Sequence, residues 1–362
     1  MIKACYIHIP FCSSICSYCD FCKVYYHDKW ITDYLNSLER EIKNIYQGEE
    51  LDTIYIGGGT PTCLNIDELK RLFEILKIFN ISDHLEFTIE GNIESIDKEK
   101  LELFKTNKVN RLSIGVETFN PNHLKFLNRN HTTQEVTDKI KLIKNSDFDN
   151  INIDLIYAIP NQTIDDVKKD IELFLSLDLP HLSVYSLIIE EHTKLYIDGT
   201  KNIDEDLDYK MYKTINEMLS SSGYHQYEIS NYAKDNYESR HNITYWNNDE
   251  YYGFGLGASG YIGNIRYTNT RSIDNYIKGN YIYESEKLNE IEKLENALIL
   301  GLRKTKGISI SEFNNKYHKD ILNDEIVKGL IKEEKLIKEV DNIYINPKYL
   351  YLSNEILIRF IK

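Results

Sequence analysis

Residues 6–22, YIHIPFCSSICSYCDFC, place Cys12, Cys16, Cys19 and Cys22 within eleven residues, and only Cys5 and Cys63 lie elsewhere. Thiols this close together suit a soft metal centre, so the spacing leaves zinc, an iron–sulfur cluster or a disulfide pair. A structural zinc site usually draws two ligand pairs across a longer loop. No distant cysteine pair follows here, although His8 or His27 would complete a tetrahedron. Disulfides belong to oxidising compartments, and no export signal is expected, because Pro10 and Cys12 interrupt the only early apolar stretch.

The Cys-x3-Cys-x2-Cys triplet carries a chemical message. Three thiolates hold three irons of a [4Fe–4S] cluster whose full ligation takes four, leaving one iron open to a small molecule. With Tyr6-Ile-His-Ile-Pro-Phe before it and Tyr18-Cys-Asp-Phe after it, the triplet resembles the signature of radical S-adenosylmethionine (SAM) proteins. More narrowly, it resembles the oxygen-independent coproporphyrinogen III oxidase superfamily. The resemblance implies that Cys12, Cys16 and Cys19 hold the cluster, that SAM is the small molecule, and that Tyr6 and Tyr18 stand among the cofactor contacts. It assigns no role to Cys22.

The rest of the 362-residue chain can bury a large core. Apolar residues make up 42% and charged residues 28%, as in soluble globular proteins. The net charge is −14, which argues against a nucleic-acid partner, since that needs a positive face. No apolar run approaches a membrane span, so the cytoplasm is the expected location.

Alternation over residues 3–9 reads as a strand that Pro10 stops. Asp28 opens a helix carrying Ile31, Leu35, Leu38 and Ile42 at helical spacing. A strand over residues 51–56 runs into Gly57-Gly58-Gly59-Thr60-Pro61-Thr62, and Asn65 with Glu68 spells a capping box for the next helix. The unit then repeats, with strands near 85–90, 110–117, 151–157 and 181–188. Helices are expected near 97–106, 121–146 (broken), 163–177 and 205–222. Six strands alternating with helices imply a parallel α/β sheet, and periodicity alone does not separate an open sheet from a barrel. The family resemblance implies an incomplete (β/α)6 radical SAM barrel, whose chemistry belongs at the C-terminal ends of its strands.

Matching segments extend the resemblance residue by residue. GGGTPT is similar to the family segment that meets the methionyl amine of SAM, which brings in Gly58, Gly59 and Thr60. Glu90 in TIEGN, Arg129 in FLNRN and Asp154 in NIDLIYAIP stand where the family contacts SAM. Glu117 in RLSIGVETF replaces the usual Gln, and a carboxylate cannot donate as an amide does unless protonated. Ile188 in HLSVYSLIIEE is expected to line the cofactor pocket or the core. His241-Asn242-Ile243-Thr244-Tyr245-Trp246 spells HNxxYW, a mark of the HemW-type haem chaperones within this superfamily. Histidine is an ordinary haem ligand, so the resemblance makes His241 the candidate axial ligand. Ser259 stands where relatives often carry a second histidine.

The sequence thus divides into a radical SAM partial barrel (1–222), a connecting segment with HNxxYW (223–287) and a C-terminal winged-helix-like domain (288–362). That last segment has helical patterns and then two short strands split at Asp341. Its 13 Lys/Arg nearly balance 12 Asp/Glu, so a cover or docking surface is expected rather than a DNA reader. Two functions follow from the resemblance. One is a haem chaperone binding a [4Fe–4S] cluster, SAM and a haem or porphyrin ligand, and passing haem to acceptor proteins, membrane-bound respiratory enzymes among them. The alternative is an enzyme, the coproporphyrinogen III oxidase (dehydrogenase) that decarboxylates propionates with a 5′-deoxyadenosyl radical. The oxidases have a longer extension before the cluster loop and a Cys-x-Cys step after it, whereas Asp20 and Phe21 separate Cys19 from Cys22 here. Both features favour the chaperone.

Overall fold

The computed structural model describes residues 1–361. Six parallel strands form its centre: β1 (Ala4–Ile9), β2 (Glu50–Gly58), β3 (Asn80–Asn92), β4 (Arg111–Glu117), β5 (Asn150–Tyr157) and β6 (His181–Ser186). They pair in sequence order, which is the simplest outcome of right-handed βαβ crossovers. The intervening helices start where the sequence provides caps. Asn65 and Glu68 close a reciprocal capping box on the helix Ile66–Leu76, and Thr132/Glu135 and Thr163/Asp166 do the same for Thr133–Lys144 and Ile164–Ser176. At Asp28–Ile45 the cap is His27, whose side chain accepts from Lys29 N–H, and Asp28 sits in the first turn.

Further strands extend both flanks of the sheet. β8 (Asn231–Ala233) adds antiparallel to β6, and β7 (His225–Gln226) adds antiparallel to β8 at the edge. On the other side β9 (Tyr251–Phe254) pairs parallel to β1, followed by antiparallel β10 (Ser259–Ile262), β11 (Ile265–Asn269) and β12 (Ile282–Lys287). The order β12-β11-β10-β9-β1-β2-β3-β4-β5-β6-β8-β7 leaves β12 and β7 at opposite edges, so the barrel is incomplete. Glu41 ties the flank to the first helix. Its buried carboxylate accepts from Gly255 N–H (2.9 Å) and from the Tyr276 and Asn269 side chains.

The C-terminal residues build a separate apolar cluster, which includes Leu298, Phe313, Leu330, Ile343 and Phe360. Helices Glu290–Gly301, Ile310–Tyr317 and Glu325–Lys332 stand beside a three-stranded antiparallel sheet of Ile308–Ser309, Leu336–Glu339 and Asn342–Ile345, a winged-helix-like arrangement. Tyr351 bonds to Asp208, and Arg303 lies 5.2 Å over the Trp246 ring, so this unit packs against the barrel. Among the described residues no helix is long and apolar enough to cross a membrane.

Candidate functional site

One cavity of about 420 Å³ opens at the C-terminal ends of the parallel strands, and Cys12, Cys16 and Cys19 stand in its wall. The cysteine loop leaves β1 at Pro10 and returns at Val24. Its base is closed by a two-residue parallel pairing of Phe11–Cys12 with Val24–Tyr25, in which Tyr26 N–H donates to Cys12 C=O at 2.8 Å. Across the mouth, Ser17 N–H donates to Leu127 C=O (3.1 Å) and Asn128 Nδ2 to Ile15 C=O (2.8 Å). The loop is therefore fastened on two sides while its thiols face the cavity.

The glycine run sits directly beneath. Gly59 N–H and Thr60 N–H donate to Ile9 and Phe11 carbonyls at 2.9 and 2.8 Å. A Cβ at Gly59 would stand 2.7 Å from the Pro10 carbonyl group, and Gly58 holds φ +125°. These glycines are needed first because the chain itself passes so closely under the cysteine loop. Thr60 Oγ1 donates to Cys12 Sγ (3.7 Å) and accepts from Asn92 Nδ2 (3.2 Å). Asn92 Oδ1 accepts from Arg129 Nη1 (3.0 Å), which also points at Cys16 Sγ (3.7 Å). One relay of polar side chains thus links two of the three sulfurs.

Burial sets the electrostatics. It pushes the Cys12 thiol up to about 11 and raises Cys19, with Lys23 opposing the rise; a metal that binds here must displace protons. Glu90 and Glu117 are each raised to about 7 by burial. Glu90 accepts from Tyr55 OH (2.8 Å) and Gly58 N–H (3.1 Å). Glu117, at φ +68°, lies 3.8 Å from Arg129 Nη2. Near neutrality part of the Glu117 population keeps its proton and can donate, as the amide of a Gln would. Asp154, raised by burial, accepts from Asn152 Nδ2 at 2.8 Å.

The family model described as the Radical SAM superfamily matches residues 6–174. Over 98% of this chain and 96% of its relative, the sequence is 40% identical to the heme chaperone HemW of Lactococcus lactis. The chain belongs to the HemW family of radical SAM proteins. The HemW of Bacillus subtilis is 38% identical over 99% of both chains. Among solved structures, the coproporphyrinogen III oxidase HemN of Escherichia coli shares the fold, with a TM-score of 0.87 and 21% identity, over 99% of this chain and 90% of that one. Membership of the radical SAM superfamily implies a [4Fe–4S] cluster and SAM.

Against this HemW-family background, the cavity brings together most of the residues singled out by sequence. Tyr18, Gly58, Gly59, Thr60, Glu90, Glu117, Arg129, Asp154 and Ile188 all border it with the three cysteines. Ile188 is 64% exposed at the rim, so it belongs to the mouth and not to the core. Tyr6 does not border the cavity. Its hydroxyl bonds to His8 Nδ1 (3.0 Å), and its ring packs on Tyr55.

His241 is the clear departure. It lies in the helix Arg240–Trp246, which covers the N-terminal ends of β2 and β3, opposite the cysteine loop. It is 1% exposed. Nδ1 is bonded to Thr53 Oγ1 (2.9 Å) and Nε2 to Tyr245 OH (2.7 Å), and burial lowers its pKa to about 3. An axial ligand needs a free imidazole nitrogen facing an open space, and this histidine has neither, so it does not fit that role. The motif is a plug: Glu86 accepts from Arg240 and His241 N–H, and Arg303 covers Trp246. Sequence reasoning missed Tyr55, Asn92 and Arg111 in the cavity wall. Strand alternation was the available signal, since Asn92 shares a face with Glu90, and Arg111 with Glu117.

Proposed function

We propose that this chain binds a [4Fe–4S] cluster through Cys12, Cys16 and Cys19, binds SAM at the mouth of the same cavity, binds haem, and delivers haem to acceptor proteins. The observation that carries the reading is the 40% identity, over nearly all of both chains, to a relative named heme chaperone HemW. The donor set fits the first two cofactors. Among the described residues no three His, Cys, Asp or Glu side chains stand close enough to share one metal ion. Three thiols in one cavity wall, with no fourth thiol beside them there among the described residues, suit a cluster whose open iron takes a small molecule.

Each remaining mouth residue has a defined task under this reading. Thr60 and Arg129 direct donors at the Cys12 and Cys16 sulfurs and stabilise their thiolates. Gly58, Gly59, Glu90, Glu117 and Asp154 hold SAM; Glu90 and Glu117 supply the carboxyl acceptors, and Arg129 keeps Glu117 in position. When bound together, the cluster and SAM supply one-electron chemistry at the open end of the cavity. Haem binds without His241 as its ligand, because both of that ring's nitrogens are engaged. The proposed location is the cytoplasm.

The competing reading is the coproporphyrinogen III oxidase reaction. The likeness to HemN at 21% identity bears on the fold alone. Anaerobic incubation of the reconstituted chain with coproporphyrinogen III, SAM and a reductant tests it. No protoporphyrinogen is expected, and its steady formation would replace the chaperone with the enzyme.

A further inference from the structure

The cavity has a second end that the mouth residues do not use. Arg111, the first residue of β4, borders it at the level of Tyr55 and Thr88, which lie beside it in the sheet. Its side chain is among the largest fully buried ones, with 2% of the residue exposed. Nε is buried without a hydrogen-bond partner. Among the described residues no group accepts a hydrogen bond from this guanidinium, and no carboxylate approaches within the 4.0 Å of an ion pair. The acids whose charge it feels, Glu90 and Asp154, are served by other donors, Tyr55 and Gly58 for the first and Asn152 for the second.

A buried, always-charged guanidinium without a partner is strongly disfavoured unless something else supplies the anion. Its planar fork matches a carboxylate in two-point contact. Asn152 in the wall around it is already engaged with Ser113, Asp154, His181 and Ser183, and the uncharged Asn242 side chain borders the same space from the helix that plugs the barrel. Arg111 lies two residues before Ser113, the register partner of Glu90, and six positions before Glu117 at the mouth, so it stands one layer deeper in the cavity than the carboxyls proposed to hold SAM.

We propose that Arg111 is the anchor of a second subsite at the closed end of this cavity, and that the subsite takes a carboxylate of the ligand lying beneath SAM. For a tetrapyrrole that group is a propionate; the owner of the carboxylate rests on the function proposed above, whereas the carboxylate itself rests on the unpaired guanidinium.

The test uses the reconstituted full-length protein with saturating SAM, and saturation-transfer NMR with propionate as probe and propionamide as its uncharged match. Propionate is expected to receive saturation and propionamide not. Arg111→Gln should weaken propionate binding about tenfold or more, the usual scale for losing a charge-assisted pair, while SAM binding and cluster absorption persist. Arg111→Lys, which keeps the charge without the fork, should fall between them. Equal response to propionate and propionamide overturns the subsite, and needs no variant to be seen. So does unchanged propionate binding in Arg111→Gln. Propionate binding that is seen in a parallel sample without SAM and lost when SAM is added would give the arginine to the methionyl carboxylate and overturn a separate site. Soret titrations with haem and haem dimethyl ester then isolate the owner. Weaker binding of the diester, matched by Arg111→Gln with haem, supports the propionate. Binding of neither overturns the haem reading while the propionate result stands, and equal binding of both overturns the propionate as the group held.

Discussion

Replacing His241 with alanine separates a structural plug from a haem ligand. The substitution removes the imidazole between Thr53 and Tyr245, leaving the buried Thr53 hydroxyl and the half-buried Tyr245 hydroxyl without their partner. It also removes the ring packed 5.1 Å from Tyr55. Each unsatisfied buried group costs about 1–3 kcal/mol, and with the lost packing the total is about 3–5 kcal/mol. At roughly 2–4 °C per kcal/mol for a unit of this size, Tm falls by about 10 °C. Thermal unfolding of the apoprotein measures this, and a Soret titration at a temperature where the variant stays folded measures the other half. Haem affinity is expected to stay within about twofold of wild type. An unchanged Tm together with a tenfold or greater loss of haem affinity would refute the plug and restore His241 as ligand.

Three other outcomes follow from the same geometry. Burial holds His8 at about 4, His241 at about 3, and His181 well below the ordinary 6.5. The native state thus binds fewer protons than the unfolded chain, so this contribution is complete above 6.5 and is lost as pH falls through 4. Urea unfolding should show stability dropping across that window, with a shallower slope in His241→Gln; a flat wild-type profile contradicts neutral buried imidazoles. Glu41 has the opposite sign. Its carboxyl is raised to about 7 by burial, so its contribution is full below the ordinary 4.5 and declines as pH rises through 7. Glu41→Gln, which cannot titrate, should lose less stability than wild type between pH 5 and pH 8, by about 1–3 kcal/mol; an equal loss in both proteins sinks this account. Alanine at Cys12, Cys16 or Cys19 should abolish the cluster's charge-transfer absorption, whereas Cys22→Ser should keep it, because the Cys22 thiol packs at Gly257 beside Arg271. Loss of absorption in Cys22→Ser contradicts three-thiolate ligation.

Local signals made the central fold legible. Parallel strands covered on both faces read as short apolar runs between turn residues, and the capping box at Asn65 and Glu68 marked where one helix began. β3 was the exception: it starts at Asn80, and its polar first turns, NISDHL, hide the pairing of Asn80 and Ile81 with Glu50 and Leu51. The flanking strands were not legible. YYGF, SGYI and IRYTN are short, the first two are glycine-interrupted, and β9 pairs with β1 across 247 residues of chain, from Ala4 to Tyr251. In the site, spacing pointed to the cysteines, whereas the glycine run and the strand-end acids came from the resemblance of their segments to the family. Asn92 ends β3 and Arg111 opens β4, each a single polar residue whose neighbours only the folded barrel interior reveals. HNxxYW was readable as a motif, yet nothing in six letters tells whether its histidine faces a ligand or a buried threonine.

The central claim is that this radical SAM chain carries haem instead of consuming a porphyrinogen. A Soret titration of the reconstituted full-length protein, anaerobic and with SAM present, tests it most directly. The account predicts a saturable band distinct from free haem, retained after gel filtration. A band that grows without saturating and is lost on the column would contradict it.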